Sequence, residues 1–325
     1  MGSFFAAVVF CLVSALLSLC LGAARLSPAD LWNALRSGPH DTAGWIFWYS
    51  RLPRTAACLL AGCALAVSGC VIQSVLGNKL ASPSILGVNA GAGLAVNLCC
   101  AFGLLSGWSI ALCSFSGAML SVLLVVFLTT RTGASRTTVI LAGVAMNSIL
   151  SALSEAVITL VPDVSMLSGD FRIGGFSSVV SSRLLPAGIL ILLALLVLLT
   201  LSNDLDVLAL GEETAHSLGL SVGKIRILFL LLAALLAGAA VSFAGLLGFV
   251  GLLVPHAARK MVGSRNSLLL PFSALAGAGF VSFCDVLARI LFDPYEIPVG
   301  ILISAIGGPF FLLLLLKKKG GRVHG

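Results

Sequence analysis

The stretch ILFLLLAALLAGAAV, residues Ile227–Val241, carries no charged side chain and decides the fold class of this protein. Similar apolar runs occupy Phe4–Ala24 and Ala187–Leu201. Such runs approach or exceed the roughly 20 apolar residues that an α-helix needs to cross about 30 Å of hydrocarbon. Because the chain is 59% hydrophobic and only 10% charged, it could not bury this surface in water. The sequence therefore predicts an all-α, polytopic membrane protein.

The apolar runs divide the chain into ten predicted spans within a single transmembrane domain, residues 1–325. Glycine, proline and charged residues mark the breaks, and the spans lie at 4–24, 55–76, 87–105, 108–130, 138–160, 184–202, 227–248, 251–263, 269–291 and 299–316. The first run lacks the charged flank of a signal peptide, so we expect a retained span. The eighth is short and contains Pro255, so hydropathy alone also allows nine spans.

The distribution of positive charge favours a topology with both termini in the cytoplasm. With ten spans and an inside N-terminus, twelve of the 19 Lys and Arg residues fall in cytoplasmic segments. This agrees with the positive-inside rule for short loops. The formal charge of +7 lies mostly in these loops and in the tail KKKGGR, so it reports orientation and predicts no binding to nucleic acid.

Three arginines break this bias, because Arg51, Arg54 and Arg289 fall on the outer side. A purely topological explanation of these charges is therefore weakened. The aromatic side chains of WIFWY, residues 45–49, fit an interfacial belt at the outer surface.

A small external shelf is predicted over residues 25–50. Its sequence SPADLWNAL opens in the manner of a capped helix, with Ser27 as the N-cap and Pro28 at the first helical position. We therefore expect the shelf to begin with a short helix that lies outside the bilayer.

The longest predicted cytoplasmic loop covers residues 203–226 and has the pattern of a folded element. Its GEETAHSLG segment is typical of a short helix, because Glu212 and Glu213 suit the positive N-terminal end and Gly219 ends it. A second turn is expected from Ser221. Such a helical pair on the inner face indicates a docking surface for a cytoplasmic partner.

The same loop contains GLSVGKI, which is similar to a phosphate-binding loop but fails its requirements. One residue is missing between the glycines, and Ile225 replaces the Ser or Thr that would hold magnesium. No other segment predicts a nucleotide site. ATP chemistry must therefore belong to another chain, and we expect this chain to bind no cofactor of its own.

Polar side chains form stripes along one face of two predicted spans. Their members are Asn147, Ser151, Ser154 and Glu155 in the fifth span, and Asn89, Gly93 and Asn97 in the third. Glycines and a proline also interrupt the helices predicted at 78–93 and 243–259, a pattern that points to a transport path. The stripes can line such a path or form hydrogen-bonded seams between helices, and the sequence leaves both open.

The remaining reactive side chains predict structural roles. The nine cysteines lie in apolar segments without a CxxC pair or a nearby histidine, so we expect small buried hydrophobes and no metal site. Asp285 and Arg289 have the spacing of an ion pair on one helix. His256 follows Pro255 with no carboxylate nearby, which favours packing or capping over catalysis.

Seven ordered motifs are spread along the chain between residues 51 and 311. They are RLPR at 51–54, GNKLASPSILGVNAGAG at 77–93, LAGVAMN at 141–147, LALGEETAHSLG at 208–219, GFVGLLVPHAAR at 248–259, DVLAR at 285–289 and EIPVGILISAIGGPFF at 296–311. With these motifs the chain resembles the permease subunit of the iron-siderophore, haem and cobalamin class of ABC importers. The resemblance implies the type II importer permease fold in a bacterial inner membrane, with ten spans and both termini inside.

The resemblance also implies partners. A homodimer with one central path is expected to work with two cytoplasmic ATPase subunits, which hold ATP and Mg, and with one external substrate-binding protein. Carried over onto this sequence, the docking arginines of the family match Arg51, Arg54 and Arg289, which would face two glutamates of the binding protein.

The resemblance further assigns the cytoplasmic side. The family's coupling helix matches LALGEETAHSLG, and the contact candidates are Glu212, Glu213, His216, Leu218 and Gly219. The family's cytoplasmic gate matches RTGASR, with Ser135 and Arg136 as its members. One departure is that the family commonly has Asn-Pro where this chain has Asn78 and Lys79, which puts the local start of that loop in doubt.

Alternating access is the mechanism that the resemblance implies, and a ferric siderophore is the expected cargo ahead of haem, cobalamin and simpler chelates. No His, Cys, Met or Tyr cluster lines a plausible path, which favours a metal already wrapped in its chelator. An ion-coupled secondary transporter that uses Glu155 or Asp285 leaves the folded loop unexplained. An intramembrane enzyme built on His256, Asp285 or a cysteine lacks a motif that pairs a nucleophile with a base.

Overall fold

The computed structural model describes residues 2–22, 26–131, 135–292 and 295–319, and within these ranges the chain is helical and contains no β-strand. The helices that correspond to the predicted spans are α1 Gly2–Cys20, α2 Leu52–Leu76, α3 Val88–Ala101, α4 Gly107–Arg131, α5 Arg136–Leu160, α6 Ser181–Thr200, α7 Val222–Ala244, α8 Val250–Val262, α9 Asn266–Ile290 and α10 Val299–Lys319. The predicted all-α class is confirmed.

Shorter helices connect these elements. They are Pro28–Ser37, Thr42–Ile46, the π-helix Phe47–Arg51, the 3₁₀ helix Pro83–Leu86, Asp163–Leu167, Gly169–Ile173, Ser202–Ala209 and Glu212–Ser217. The predicted cap of the shelf is confirmed, because Ser27 accepts a hydrogen bond from the backbone of Asp30 and the Asp30 carboxylate accepts one from the backbone of Ser27. The rest of the shelf is not separate from the membrane domain, since 42–76 forms one continuous helix.

Seven helices among the described residues are long and apolar enough to cross a bilayer. α8 has only 13 residues, which at 1.5 Å each span about 20 Å, so the count of ten crossings stays a prediction. Three predicted spans need correction, and one of them is the seventh, which the structure places at Val222–Ala244 instead of 227–248. α1 ends at Cys20 instead of 24, just before Leu21 and Gly22 leave the helix, and α3 ends at Ala101 instead of 105 because the chain turns at Gly103, whose φ is 72°.

α2 is the central helix of the core and packs against α7, α8 and α9. Two pairs of glycines permit this close approach. A Cβ on Gly62 would strike the carbonyl of Gly277 in α9, and a Cβ on Gly69 would strike that of Gly251 in α8. Small residues at such crossings are typical of membrane helices that pack backbone against backbone.

Both predicted helix interruptions are confirmed. The first breaks at the 3₁₀ turn Pro83–Leu86, after which Gly87 takes a φ of 81° before α3 begins. The second lies between α7 and α8, where Phe249 has a φ of 61° and is the one non-glycine residue with positive φ in the described part of the chain. Such a backbone is unfavourable for a side chain unless its surroundings hold it.

α5 lies at the periphery of the isolated subunit. Only Val139 and Gly143 of its 25 residues are buried, and large apolar side chains such as Leu141 and Ile149 are exposed. Because exposed apolar surface on this scale needs lipid or another protein to cover it, α5 belongs to an outer face of the fold.

Candidate functional site

A polar cavity of about 270 Å³ lies between α3 and α5. Its lining residues are Ser84, Asn89, Ala90, Gly93, Asn97, Asn147, Ser151, Ser154, Glu155, Arg172 and Leu246. Every residue predicted for the translocation path is in this set. The two polar stripes read from the sequence therefore meet at one cavity.

Hydrogen bonds between the stripes show that the seam and the cavity coexist. The Asn97 Nδ2 donates to Ser154 Oγ at 2.7 Å, which joins α3 to α5, and Asn89 Nδ2 donates to Ser84 Oγ at 3.1 Å. The Asn97 Oδ1 atom is buried and has no hydrogen-bond partner among the described residues. The polar faces of α3 and α5 thus both line the cavity and form hydrogen bonds with each other. Passage of a cargo through the cavity stays a prediction.

Four lining residues were not predicted, Ser84, Ala90, Arg172 and Leu246, and Arg172 is the charged one among them. Its Nη2 lies 3.4 Å from Glu155 Oε1, and both side chains are partly exposed. Arg172 belongs to the short helix Gly169–Ile173, which is held in place because the backbone of Leu246 donates to the Phe171 carbonyl at 2.9 Å. The helix interruption after α7 therefore supports one wall of the cavity, a relation that spacing along the chain does not reveal.

At the end of α9, a buried carboxylate lies between two arginines. Asp285, which is 1% exposed, accepts from Arg54 Nη2 at 3.0 Å and from Arg289 Nη2 at 3.0 Å. The predicted ion pair between Asp285 and Arg289 is confirmed. The contact from Arg54 on α2 was not predicted, because 231 residues separate the two partners. Glu296 accepts from Arg54 Nη1 at 2.8 Å at the exposed edge.

Arg51, the third arginine of this group, also points inward and shares a hydrogen-bond acceptor with Arg289. Arg51 donates to the carbonyl of Leu21, and Arg289 donates to the same carbonyl at 3.0 Å and to Ser18 Oγ at 2.8 Å. Arg51 is 6% exposed and Arg289 is 3% exposed.

We call Arg51, Arg54, Asp285, Arg289 and Glu296 the outer cluster, after the predicted topology. The expectation that all three arginines face outward is corrected for Arg51 and Arg289. In this conformation both side chains are buried and donate hydrogen bonds to groups of the subunit itself. Docking of a binding protein at this place stays a prediction.

The loop predicted to be cytoplasmic contains the predicted short helix, Glu212–Ser217, and Gly219 follows it with a φ of 83° as a helix-ending residue. The side chains of Glu213, His216 and Leu218 are exposed. The second helix of the pair is corrected: Ser221 directly precedes α7 at its N-cap position, and the partner helix is Ser202–Ala209, which precedes the first.

Glu212 faces the subunit itself. Its Oε1 lies 2.6 Å from Arg226 Nη2 on α7 and 4.0 Å from Arg136 Nε on α5. The Arg136 Nη2 also donates to the carbonyl of Leu208 at 2.8 Å. We call Arg136, Glu212 and Arg226 the inner cluster.

The predicted gate residues lie next to the inner cluster. Ser135 caps α5 by accepting from the backbone of Thr138, and Arg136 is the first residue of that helix. Residues 132–134 of the RTGASR segment lie outside the described residues. Gating by Ser135 and Arg136 stays a prediction.

A second contact that the sequence did not predict fixes the loop to the core. Asp206, on the helix Ser202–Ala209, accepts from both the backbone and the side-chain nitrogen of Asn266, at 2.7 and 2.8 Å. Asn266 in turn accepts from Ser74 Oγ of α2 at 2.9 Å. The loop is therefore attached to α2 and α9 as well as to α5 and α7.

The departure at Asn78–Lys79 leaves the local turn intact. Gly77 has a φ of 61° after α2, the backbone of Asn78 donates to the Gln73 carbonyl at 3.1 Å, and the Asn78 side chain accepts from the backbone of Leu80 at 2.9 Å. Lys79 is exposed. A lysine is thus accommodated at this position without disturbing the cap.

The cysteines and His256 take the structural roles that the sequence predicts. All nine cysteines are unpaired and at least partly buried. The His256 ring packs edge-on against Phe310 of α10, with 6.3 Å between centroids. No group of three His, Cys, Asp or Glu side chains that could hold a metal ion occurs within the described residues.

Comparisons with known proteins agree with this arrangement. The model of the FecCD transport family matches residues 10–317. The hemin transport system permease protein HmuU of Yersinia pestis is 37% identical over 97% of this chain and 95% of its own length. The Fe(3+)-citrate import system permease protein YfmD of Bacillus subtilis is 37% identical over 93% of this chain and 91% of its own.

A solved structure of a metal-chelate type ABC transporter in an inward-facing conformation superimposes with a TM-score of 0.86. It is 30% identical and covers 97% of this chain and 98% of its own. The similarity therefore extends over the cavity, the outer cluster and the inner cluster alike.

Proposed function

Because the chain belongs to the FecCD transport family, we propose that it is the membrane-spanning subunit of an ATP-driven importer that moves a ferric siderophore into the cytoplasm by alternating access. Members of this family are permeases and not catalytic enzymes. ATP hydrolysis accordingly belongs to a separate ATPase chain, which would hold ATP and Mg. This chain needs no cofactor of its own.

The observation that carries this proposal is the polar cavity between α3 and α5. It collects both predicted stripes, including Asn89, Asn97 and Asn147, in a protein whose helices are otherwise strongly apolar. Amide and hydroxyl groups bind through hydrogen bonds and are poor ligands for bare iron. The cavity therefore suits a metal that arrives already enclosed in a chelator.

The choice of a siderophore rests on the chemistry of the cavity wall. Relatives named for hemin and for Fe(3+)-citrate are equally similar, at 37% identity, so sequence identity does not select the cargo. A siderophore presents carbonyl and hydroxyl oxygens over most of its surface, which suit amide and hydroxyl partners. A porphyrin presents a flat apolar face, which would leave these polar groups unpaired. Haem and cobalamin are the alternatives that the test below separates.

The assembly that we propose has two copies of this chain, two ATPase subunits on the inner face and one binding protein outside. The exposed apolar surface of α5 supports a second copy, because α5 also forms a wall of the cavity. The exposed side chains of Glu213, His216 and Leu218, together with Gly219, are the proposed ATPase contacts. Both termini lie in the cytoplasm of a bacterial inner-membrane protein in this arrangement.

The outer cluster is the proposed docking place of the binding protein. Arg54 is its accessible member, since it reaches Glu296 at the edge while Arg51 and Arg289 are buried. A carboxylate of the binding protein would meet Arg54 first. Ser135 and Arg136, at the other side, are the proposed gate.

An ion-coupled mechanism has less support from the structure. Asp285, one of its two candidate carriers, is fixed between two guanidinium groups. The other, Glu155, faces Arg172. Both candidate carboxylates are therefore held in ion pairs with arginine side chains, so neither is free to act as an ion carrier.

Uptake by reconstituted vesicles tests the proposal. The complete complex is expected to accumulate a radioiron-labelled ferric hydroxamate only with ATP and the binding protein, and in preference to hemin and cobalamin. Asn147→Leu should lower this uptake by about tenfold, since a polar cargo then loses a hydrogen bond. Ser148→Ala, on the same helix but outside the cavity, is the matched control. ATP-independent accumulation would refute the importer, whereas preference for hemin would refute only the cargo.

A further inference from the structure

Glu212 is the first residue of the short helix Glu212–Ser217, yet its carboxylate faces the membrane domain. The same oxygen lies 2.6 Å from Arg226 Nη2 and 4.0 Å from Arg136 Nε. Arg226 belongs to the first turns of α7 and is 3% exposed, while Arg136 begins α5. One carboxylate therefore contacts two helices of the transmembrane core.

Arg136 strengthens this connection through a second contact. Its Nη2 donates to the carbonyl of Leu208 at 2.8 Å, on the helix Ser202–Ala209. Arg136 thus lies against both short helices of the loop, because it donates to a carbonyl of one and lies 4.0 Å from Glu212 of the other. A displacement of the loop would pull directly on the first turn of α5.

α5 connects that first turn to the cavity without a break. It is a continuous helix from Arg136 to Leu160, and Asn147, Ser151 and Glu155 line the cavity from it. The eleven residues from Arg136 to Asn147 correspond to about 17 Å of helix. Because a helix with an intact hydrogen-bond ladder moves as a rigid body, movement at Arg136 would reach the cavity wall.

The neighbouring acidic residue has a different environment. Glu213 is exposed, and no ion pair to it occurs among the described residues. It is therefore the residue of the pair that is available to a cytoplasmic partner. The helix Glu212–Ser217 presents one acidic side chain inward and one outward.

We propose that Glu212 is a positioning residue which couples the loop to α5 and α7, and that it does so through Arg136 and Arg226 and not through contact with the ATPase. The inference rests on the proposed importer function. It divides the loop into an outer surface that meets the ATPase and an inner ion-pair network that passes the movement to the cavity.

The test uses the full complex with its own ATPase subunits in vesicles, in a background where Ser151→Cys is the one accessible thiol. The rate at which a water-soluble maleimide modifies this cysteine is compared without nucleotide and with ATP plus vanadate. In the parent we expect a nucleotide-dependent rate. Glu212→Gln should reduce that dependence by about fivefold or more, the scale of a typical coupling between sites. The amount of ATPase that copurifies should remain unchanged.

A charge exchange separates this proposal from direct docking. Glu212→Arg combined with Arg226→Glu should recover part of the nucleotide dependence, because the ion pair to α7 is restored in the opposite sense while the new arginine at 212 lies beside Arg136. Glu213→Gln should instead lower the amount of copurifying ATPase. The proposal is overturned if Glu212→Gln leaves the nucleotide dependence intact, or if it removes ATPase from the complex as Glu213→Gln does.

A failure of the proposed importer function would give a different result from a failure of the proposal for Glu212. In that case the parent protein would copurify with no ATPase, or its cysteine would react at the same rate with and without nucleotide. If the exchange variant does not assemble, Glu212→Gln decides the matter alone, because that change keeps the size of the side chain and removes only its charge.

Discussion

The outer and inner clusters share one pattern, an acidic residue between two arginines, but differ in their access to water. Asp285 is 1% exposed and each of its oxygens has a guanidinium partner at 3.0 Å. The side chain of Glu212 is 46% exposed and reaches its two partners at 2.6 and 4.0 Å. Breaking a buried pair leaves an uncompensated charge, whereas an exposed pair is screened and exchanges partners at small cost. The first cluster is therefore suited to fix helices together and the second to rearrange.

The largest effect is expected from Asp285→Ala. This change leaves Arg289 buried without its carboxylate and should lower the free energy of unfolding by about 3–5 kcal/mol. The measurement is thermal unfolding of the purified protein in detergent. Glu212→Gln is the matched control, with a smaller expected loss, because Glu212 is 46% exposed and the glutamine amide oxygen can still accept from the buried Arg226.

The same experiment tests whether burial distinguishes the outer cluster from the inner cluster. If both variants lowered the unfolding midpoint equally, burial would not distinguish the two clusters. The double variant Asp285→Leu with Arg289→Met should recover part of the loss, since it removes the buried charge together with its partner.

A smaller effect is expected from Glu296→Gln at the edge of the outer cluster. The change removes the exposed partner of Arg54 and leaves its contact with Asp285 in place. Arg54 would then be more available to a carboxylate of the binding protein. We expect the binding protein to associate about two- to fivefold more tightly with vesicles at low salt, and this gain to shrink at high salt.

Arg54→Gln is the counterpart to this variant and should weaken the same association. Weaker or unchanged binding of Glu296→Gln at low salt would show that Glu296 does not compete for Arg54. In that case the outer cluster would be a structural element only.

The smallest effect is expected at Asp30, an acidic residue in water. Hydrogen bonds from the Ser27 hydroxyl and backbone lower the pKa of Asp30. Because the folded-state pKa lies below the unfolded one, the stabilisation is present above the ordinary carboxyl pKa and is lost as the pH falls through the lowered value. Asp30→Asn should therefore reduce the unfolding midpoint slightly at neutral pH and not in acid. A reduction of equal size at both pH values would contradict this.

The sequence predicts features that depend on neighbours along the chain. The cap at Ser27, the helix end at Gly219 and the pair Asp285–Arg289 all have partners within four residues, and the structure contains each of them. The polar stripes were also predictable, because Asn147 and Ser151 lie one helical turn apart and so share a face.

Contacts across the fold were not predictable. Arg54 meets Asp285 over 231 residues, and Asp206 meets Asn266 over 60 residues. The sequence of a helix does not tell whether a charged residue on it faces a partner helix, the solvent or another protein. The contact of Glu212 with Arg226 was not predicted for this reason, since a position at a helix N-terminus does not tell which way the carboxylate turns, and an ATPase contact of Glu212 stays a prediction.

The second helix of the cytoplasmic loop shows a related limit. Gly219 and Ser221 give the signals of a helix end and a helix start, and these signals are the same for a short helix and for a long one. Ser221 in fact begins α7, which runs from Val222 to Ala244. Only the packing of that helix in the core distinguishes the two cases.

The glycine contacts of α2 have a consequence for how the molecule moves. Gly62 meets Gly277, and Gly69 meets Gly251, with no room for a Cβ between the backbones. Helices that pack at this distance cannot slide without separating, so α2, α8 and α9 are expected to stay fixed relative to one another. α5 has only two buried residues and one such contact, between Gly143 and the carbonyl of Ile85, so we expect it to move more easily than α2. Substitutions along α2 should therefore affect assembly of the protein, and those along α5 the speed of its cycle.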